Sequence, residues 1–252
     1  RILGLNGHIN LYAQTGFINE YDTLAAEAMQ VTGVESAIPG IEKQALMTIG
    51  QNATGVLVRG LRDRDFSAKP ILSESLISGT LIDFQGNGAF IGSAMSDRLD
   101  LRLGENFVLV SPSGRTTPFG TMPRSRQFYV AGVFDVEMHE YNNNFVYLPL
   151  ETTQQFFDMG QAVNMIEIFT HDTLQVDRYR DALSAAMPPD IRVVDWQQSN
   201  GSFFNALKVE RNVMFLILTL IILVAAFNII SSMIMLVKDK GRDVAILRTM
   251  GA

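Results

Sequence analysis

VMFLILTLIILVAAFNIISSMIMLV, Val213 to Val237, contains neither a charge nor a proline. As a helix, its about 25 residues extend roughly 37 Å at 1.5 Å per residue, enough to cross a hydrocarbon core of about 30 Å with some tilt. The buried helix of a large soluble protein is usually shorter and keeps a polar stripe, and a position this late in the chain excludes a cleaved signal peptide. The segment therefore reads as a membrane span. Lys238, Lys240, Arg242 and Arg248 follow it closely, whereas Lys208 and Arg211 before it are interleaved with Glu210. That basic excess places the C-terminal side in the cytoplasm and the large N-terminal portion outside.

Composition agrees with an extracytoplasmic domain attached to a membrane helix. Setting aside the helix and its flanks leaves about 200 residues, enough for one ordinary domain or two small lobes. A net charge of -6 excludes a nucleic-acid surface built on net basicity, and the absence of cysteine removes disulfides, thiolate metal sites and cysteine nucleophiles together. The chain opens at Arg1 and stops at Met250-Gly251-Ala252 in what reads as the middle of a helix, so a piece of a longer protein with further spans is expected.

From the start, Ile9, Leu11 and Ala13 alternate with His8, Asn10 and Tyr12 as in a half-buried strand. Asn19 or Asp22 can cap a helix running through Gln30, with Leu24, Ala25, Ala28 and Met29 on one face and Gly33 ending it. After Pro39 and Gly40, EKQALMTIG and ATGVLVRGL flank a polar turn at Gln51 and Asn52 and predict a β-hairpin or meander. Residues 62 to 105 read as loop-rich with one helix, Ser93 to Leu99, which exits at Gly104. Gly86, Gly88 and Gly92 miss the dinucleotide-binding spacing by one residue and lack a compact βαβ context, so turning explains them better.

Strands at Asn106–Ser111 and Gln127–Phe134 are joined by PSGRTTPFGTMPRSR, a loop far longer than a hairpin usually has. A flexible insertion is one reading of it. Against that, Pro118 and Pro123 stiffen the tip, and Phe119 and Met122 would be costly to expose without a partner. The rest of the outer portion alternates a helix in LPLETTQQFFDMG, a strand in AVNMIEIFT, a helix in LQVDRYRDALSAAMPP and a strand in DIRVVDWQQ. This βαβ-like end with the preceding meander predicts an α+β class. From Ser202 a helical stalk runs without a breaker into the span.

No chemistry of an active site is evident. The histidines His8, His139 and His171 lie in different segments, and Glu137, His139 and Glu140 read as solvated loop residues beside Asn142 to Asn144 rather than as a metal site. Neither G-x-S-x-G nor a Walker A sequence occurs, so no catalytic residue, cofactor or metal ligand is assigned. Asn228, Ser231 and Ser232 within the span either hydrogen-bond to neighbouring helices or line a pathway.

The last residues, VKDKGRDVAILRTMGA, place Val244, Ile246, Leu247 and Met250 among basic residues and Asp243, as a short amphipathic helix at the inner membrane surface would. Together with the span, DKGRDVAILRTMGA resembles the permeases of lipoprotein-releasing ABC transporters, the LolC/LolE family within the MacB/FtsX-like group. RILGLNGHIN is similar to that family's exit from its first membrane helix, GAFIGSAMSDRLDLRLGENFVLV to a segment of its periplasmic domain, and TTPFGTMPRSRQFYVAGVF to the hairpin called the hook in the LolC branch.

The resemblance implies a MacB-like periplasmic α+β domain at residues 1–201 with a hook at 111–127, a stalk and transmembrane helix at 202–237, and a cytoplasmic coupling helix at 238–252. It implies a multi-pass inner-membrane permease without enzymatic activity of its own. Its partners would be a LolD-like ATPase, a second permease chain, a LolA-type periplasmic carrier, the lipoprotein substrate and the membrane, with no nucleic acid. Pro118, Phe119, Gly120, Thr121, Met122, Pro123, Arg124 and Arg126 would bind the carrier. Arg242, Asp243, Val244, Ile246, Leu247 and Met250 would couple to the ATPase. The terminal motif reads more like the LolE side, which keeps a merged, LolF-like permease open, and a MacB-type efflux subunit or an FtsX-like regulator of a cell-wall hydrolase stays as an alternative.

Overall fold

Four strands and two helices drawn from the two ends of the first structural unit make its frame. The computed structural model describes residues 5–117, 120–199 and 201–251 and divides into two units, Arg1–Trp196 and Gln197–Ala252. In the frame, β1 (Ile9–Ala13), α1 (Tyr21–Met29) and the first half of β2 (Val34–Ile49) are met by segments from far along the chain. Strand β1 lies antiparallel between strands at Met165–Thr170 and Ile191–Asp195, and β2 pairs through Val34–Gly40 with the former. Those two strands are joined by a helix at Val176–Ala186, so the frame is a split βαββαβ sheet, antiparallel throughout. Ile9, Leu11 and Ala13 are buried while the residues between them are half-buried, as the alternation predicts.

The predicted helix cap differs. Helix α1 begins after Glu20 without a side-chain cap bond, and Asp22, one of the two predicted caps, instead accepts a 2.6 Å hydrogen bond from Arg62. Met29 turns outward at 47 % exposure, leaving Ala25 and Ala28 as the buried face.

A second lobe is inserted between the two halves of this frame. Strand β2 continues without interruption into it, pairing through Ile41–Ile49 with β3 (Asn52–Leu61). The sequence predicts that this strand starts after Gly40, whereas it runs from Val34 through Pro39. Its first half has a ladder on one side only, where a residue without an N–H is tolerated. The hairpin turn sits at Gly50-Gln51, one residue before the predicted position, with Gly50 at φ +57. After the short helices α2 (Asp63–Ser67) and α3 (Pro70–Ser73) come β4 (Leu76–Gly79), β5 (Gly88–Gly92), α4 (Ser93–Leu99), β6 (Asn106–Thr117), β7 (Gly120–Phe134), α5 (His139–Asn144), β8 (Phe145–Pro149) and α6 (Leu150–Phe157). The frame closes with β9 (Met165–Thr170), α7 (Val176–Ala186) and β10 (Ile191–Asp195). All ten strands join in the order β10-β1-β9-β2-β3-β8-β5-β7-β4, with β6 bonded to β2 and β7.

Three of these strands, the short β4 together with β5 and β8, are absent from the sequence reading. GAFIG (β5) and FVYLP (β8) are buried at every residue, so they lack the alternation that marks a half-buried strand. Both faces of this part of the sheet are covered. Ala89, Ile91, Val130, Val146 and Leu148 face one core; Phe90, Ala131, Phe134, Phe145 and Tyr147 face a second, aromatic one with Phe66 and Phe84. Gly86 does turn the chain, at φ +58, but Gly92 serves close approach, because a Cβ there would lie 2.2 Å from the carbonyl oxygen of Asn142. The segment predicted as a solvated loop, Glu137 to Asn144, contains helix α5, and Asn142 is buried, its amide donating to Asp135 at 2.6 Å.

The second unit is dominated by α8, a single helix from Gly201 to Thr249. Val209–Lys238 within it is long and apolar enough to cross a membrane. The terminal segment, predicted as a separate short helix, continues the same helix without a break, consistent with the absence of proline or a glycine pair between Val237 and Arg248.

Candidate functional site

The predicted long loop between β6 and β7 is a β-ribbon. Register holds from Asn106↔Tyr129 to Ser111↔Arg124, shifts, and resumes at Arg115↔Met122, Thr116↔Thr121 and Thr117↔Gly120. The sequence concealed this because both arms are polar on both faces once they leave the sheet, so no period of two survives. The shift coincides with Pro112 and Pro123, residues that cannot donate to a ladder. From Ser111 to Thr117 the arm covers about 20 Å at the usual strand rise of about 3.3 Å per residue.

The base of the ribbon is braced on the C-terminal end of α6. Phe156 of α6 is buried edge-on to Phe128 of β7, ring centroids 5.7 Å apart, which sets the helix against the strand. Arg124 forms an ion pair with Asp158, and its Nη1 also donates to the Gln155 carbonyl at 3.4 Å. Arg126 donates from Nη2 and Nε to Asn87 Oδ1 at 2.6 and 3.1 Å and from Nη1 to Gln155 Oε1 at 3.2 Å. Its guanidinium stands 5.8 Å over the Phe128 ring. Met122, Pro123, Arg124, Ser125, Arg126, Gln155 and Phe156 line an open groove of about 380 Å³, and Met122 is 66 % exposed at its rim.

Of the carrier-binding residues predicted from sequence, Met122, Pro123, Arg124 and Arg126 thus come together along one groove. Gly120 and Thr121 are placed by backbone register alone; Pro118 and Phe119 lie outside the described residues. The two arginines, predicted to bind the carrier, already have partners within the chain. Of the predicted ATPase-coupling residues, Val244 and Ile246 are 57 % and 53 % exposed on α8 and Met250, in the turn just after it, is 79 % exposed, whereas the side chains of Arg242, Asp243 and Leu247 lie outside the described set. Among the described residues no group of three or more His, Asp or Glu side chains could hold a metal.

A second polar constellation went unpredicted. Glu167 of β9, Lys69 before α3 and Arg59 of β3 are all buried between frame and insert. Lys69 pairs with one Glu167 oxygen, and Arg59 stands 3.5 Å from the other. Arg59 also donates to Glu42 at 2.6 Å. The same cluster holds the leading segment, since the Gly7 N–H donates to Glu167 at 3.3 Å and Lys69 donates to the Leu5 carbonyl at 3.4 Å. Burial pushes the Glu167 carboxyl up, but Lys69 and Arg59 together outweigh it and hold the group below the usual carboxylate range. Burial dominates at Lys69 and lowers its ammonium despite Glu167. The sequence signal was a charge at the centre of an apolar run, in MIEIFT and VLVRGL.

Residues 5–186 match the model of the MacB-like periplasmic core domain. Over its whole length the chain is 31% identical to "Lipoprotein-releasing system transmembrane protein LolC" of Xylella fastidiosa (strain Temecula1), of which it covers 61%. It is 30% identical to the LolC protein of Neisseria meningitidis, with 95% of this chain and 60% of that protein covered, and 24% identical to the LolE protein of Haemophilus influenzae, with 93% and 57% covered. The chain therefore spans about 61% of the length of the first of these curated relatives. Among solved structures, the periplasmic region of MacB from Actinobacillus actinomycetemcomitans aligns with a TM-score of 0.49 at 14% identity, over 81% of this chain and 96% of that one.

Proposed function

The chain belongs to the MacB-like periplasmic core domain family, and on that premise we propose that it is part of the permease subunit of an ABC transporter that extracts lipoproteins from the bacterial inner membrane and hands them to a periplasmic LolA-type carrier. The observation that carries this reading is the braced ribbon. A two-stranded arm that projects an exposed Met122 beside a groove rimmed by Arg124 and Arg126 suits a soluble partner with an apolar pocket and an acidic margin. Identity of 30% or more to LolC proteins along nearly all of the chain supports the lipoprotein-releasing branch.

In this reading α8 crosses the inner membrane at Val209–Lys238, with the first unit periplasmic and the Lys238–Arg248 end cytoplasmic. ATP hydrolysis falls to a separate LolD-like ATPase that meets the 241–250 segment, and a second permease chain completes the transporter. The test is binding of a purified LolA-type carrier to the full chain in detergent, with Phe119→Ala and Met122→Ala variants. Binding lost on either substitution, with the unfolding midpoint unchanged, is the expected outcome. No binding by the unsubstituted chain would overturn the reading and favour an efflux or regulatory role.

A further inference from the structure

The two arginines at the base of the ribbon differ in how their charge is met. Arg126 is held by the side-chain oxygens of Asn87 and Gln155, neutral amides that fix its position, and it has no ion pair among the described residues. Arg124 is neutralised by Asp158. That aspartate occupies a place where local chemistry disfavours it. It follows the last turn of α6 in the left-handed conformation, φ +59, where glycine or asparagine is usual, and its negative charge sits at the end of the helix that already carries partial negative charge. Asparagine would satisfy the backbone equally well, so the carboxylate serves its charge. Asp100 ends α4 in the same conformation, but its partner is the adjacent, solvated Arg102, 3.1 Å away. Asp158 instead reaches across to the ribbon.

The Asp158 side chain is 68% exposed and that of Arg124 18%. An ion pair with so exposed an acid is weak and readily exchanged. A carboxylate brought by a docking protein would meet Arg124 in a drier environment, where the same pairing is stronger. We infer that Asp158 is an internal stand-in for a carboxylate of the carrier, holding Arg124 at the rim of the groove until docking exchanges one acid for the other. Arg126, without an ion pair among the described residues, attracts the acidic face of the partner, and Arg124 becomes available as that face arrives. The inference rests on the reading of the ribbon as a carrier-docking arm and adds to it a built-in competitor that keeps the resting groove less cationic.

The experiment compares the full chain with Asp158→Asn and Asp158→Gly, both compatible with the left-handed backbone, for binding of the purified carrier at several salt concentrations. Removing the competitor should tighten binding about fivefold, the worth of one solvated ion pair, chiefly through the association rate and with a steeper salt dependence. The gain should vanish in an Arg124→Gln background, and the unfolding midpoint should stay put. If the unsubstituted chain binds and the Asp158 variants bind equally or more weakly, the stand-in is overturned while the docking arm stands. If neither the unsubstituted chain nor the variants bind, both are overturned.

Discussion

Replacing Lys69 by Met removes one cation from a cluster whose charges are all shielded from water. The side chains of Lys69 and Glu167 are 2% and 1% exposed, so solvent does not screen their interaction. At an effective dielectric constant of about 20, two unit charges at about 3.5 Å attract by about 5 kcal/mol, and most of this offsets the desolvation of both groups. Deleting one partner keeps the desolvation cost of the other, and such losses run to about 3–5 kcal/mol. Arg59 remains 3.5 Å from Glu167, which places Lys69→Met at the lower end, about 3 kcal/mol. Glu167→Leu should cost more, because it strands Lys69, removes an ion-pair partner of Arg59 and takes the acceptor from the Gly7 N–H. The double variant Lys69→Met/Glu167→Leu should recover most of the loss, since an apolar pair of similar volume matches a buried ion pair in stability. Urea unfolding of the full chain, followed by the fluorescence of Trp196, the chain's one tryptophan, reads this unit. The acid limb gives a second reading. The folded carboxyl of Glu167 titrates below its ordinary value, so its contribution is complete above that value and is lost as pH falls through the lower folded one. Glu167→Gln should therefore flatten the acid limb below about pH 4.5. A Lys69→Met loss under about 1 kcal/mol, with no recovery in the double variant, would refute the reasoning.

Three further expectations are independent of the cluster. Gly92→Ala should destabilise the first unit by about 3 kcal/mol, at the upper end of the usual cost of overpacking, because the new methyl meets the backbone of Asn142 rather than a side chain able to move; an unchanged unfolding midpoint would contradict the packing described. A cysteine placed at Ser113, the only one in the chain, should react with a membrane-impermeant reagent in cells with a permeabilised outer membrane, and labelling only after inner-membrane lysis would invert the orientation. Ile246→Asp together with Leu247→Asp should abolish co-purification of the ATPase by burying unpaired charge at the contact, and a retained complex would move the coupling surface elsewhere.

What the sequence alone determined were features set within a turn or two of chain. The long apolar helix followed from an uninterrupted apolar run, β1 from alternation at Ile9, Leu11 and Ala13, and α4 and α7 from short helical patterns bounded by turn residues. The α+β class and the resemblance to lipoprotein-releasing permeases followed from the same order of local signals. Tertiary structure decided the rest. Strands β5 and β8 carry no periodic signal because both their faces are covered, and that covering is contributed by segments remote in the chain. The arms of the β6–β7 ribbon read as loop because nothing apolar distinguishes their faces, and they are strands only because each satisfies the other's backbone. Arg124 and Arg126 were legible as cations near a projecting tip, but their partners were not, since Asn87, Gln155 and Asp158 reach them only through the fold. Lys69 and Glu167 meet across 98 residues for the same reason. Periodicity and capping are properties of neighbouring residues, whereas the compensation of a charge depends on which distant side chain the topology delivers to it.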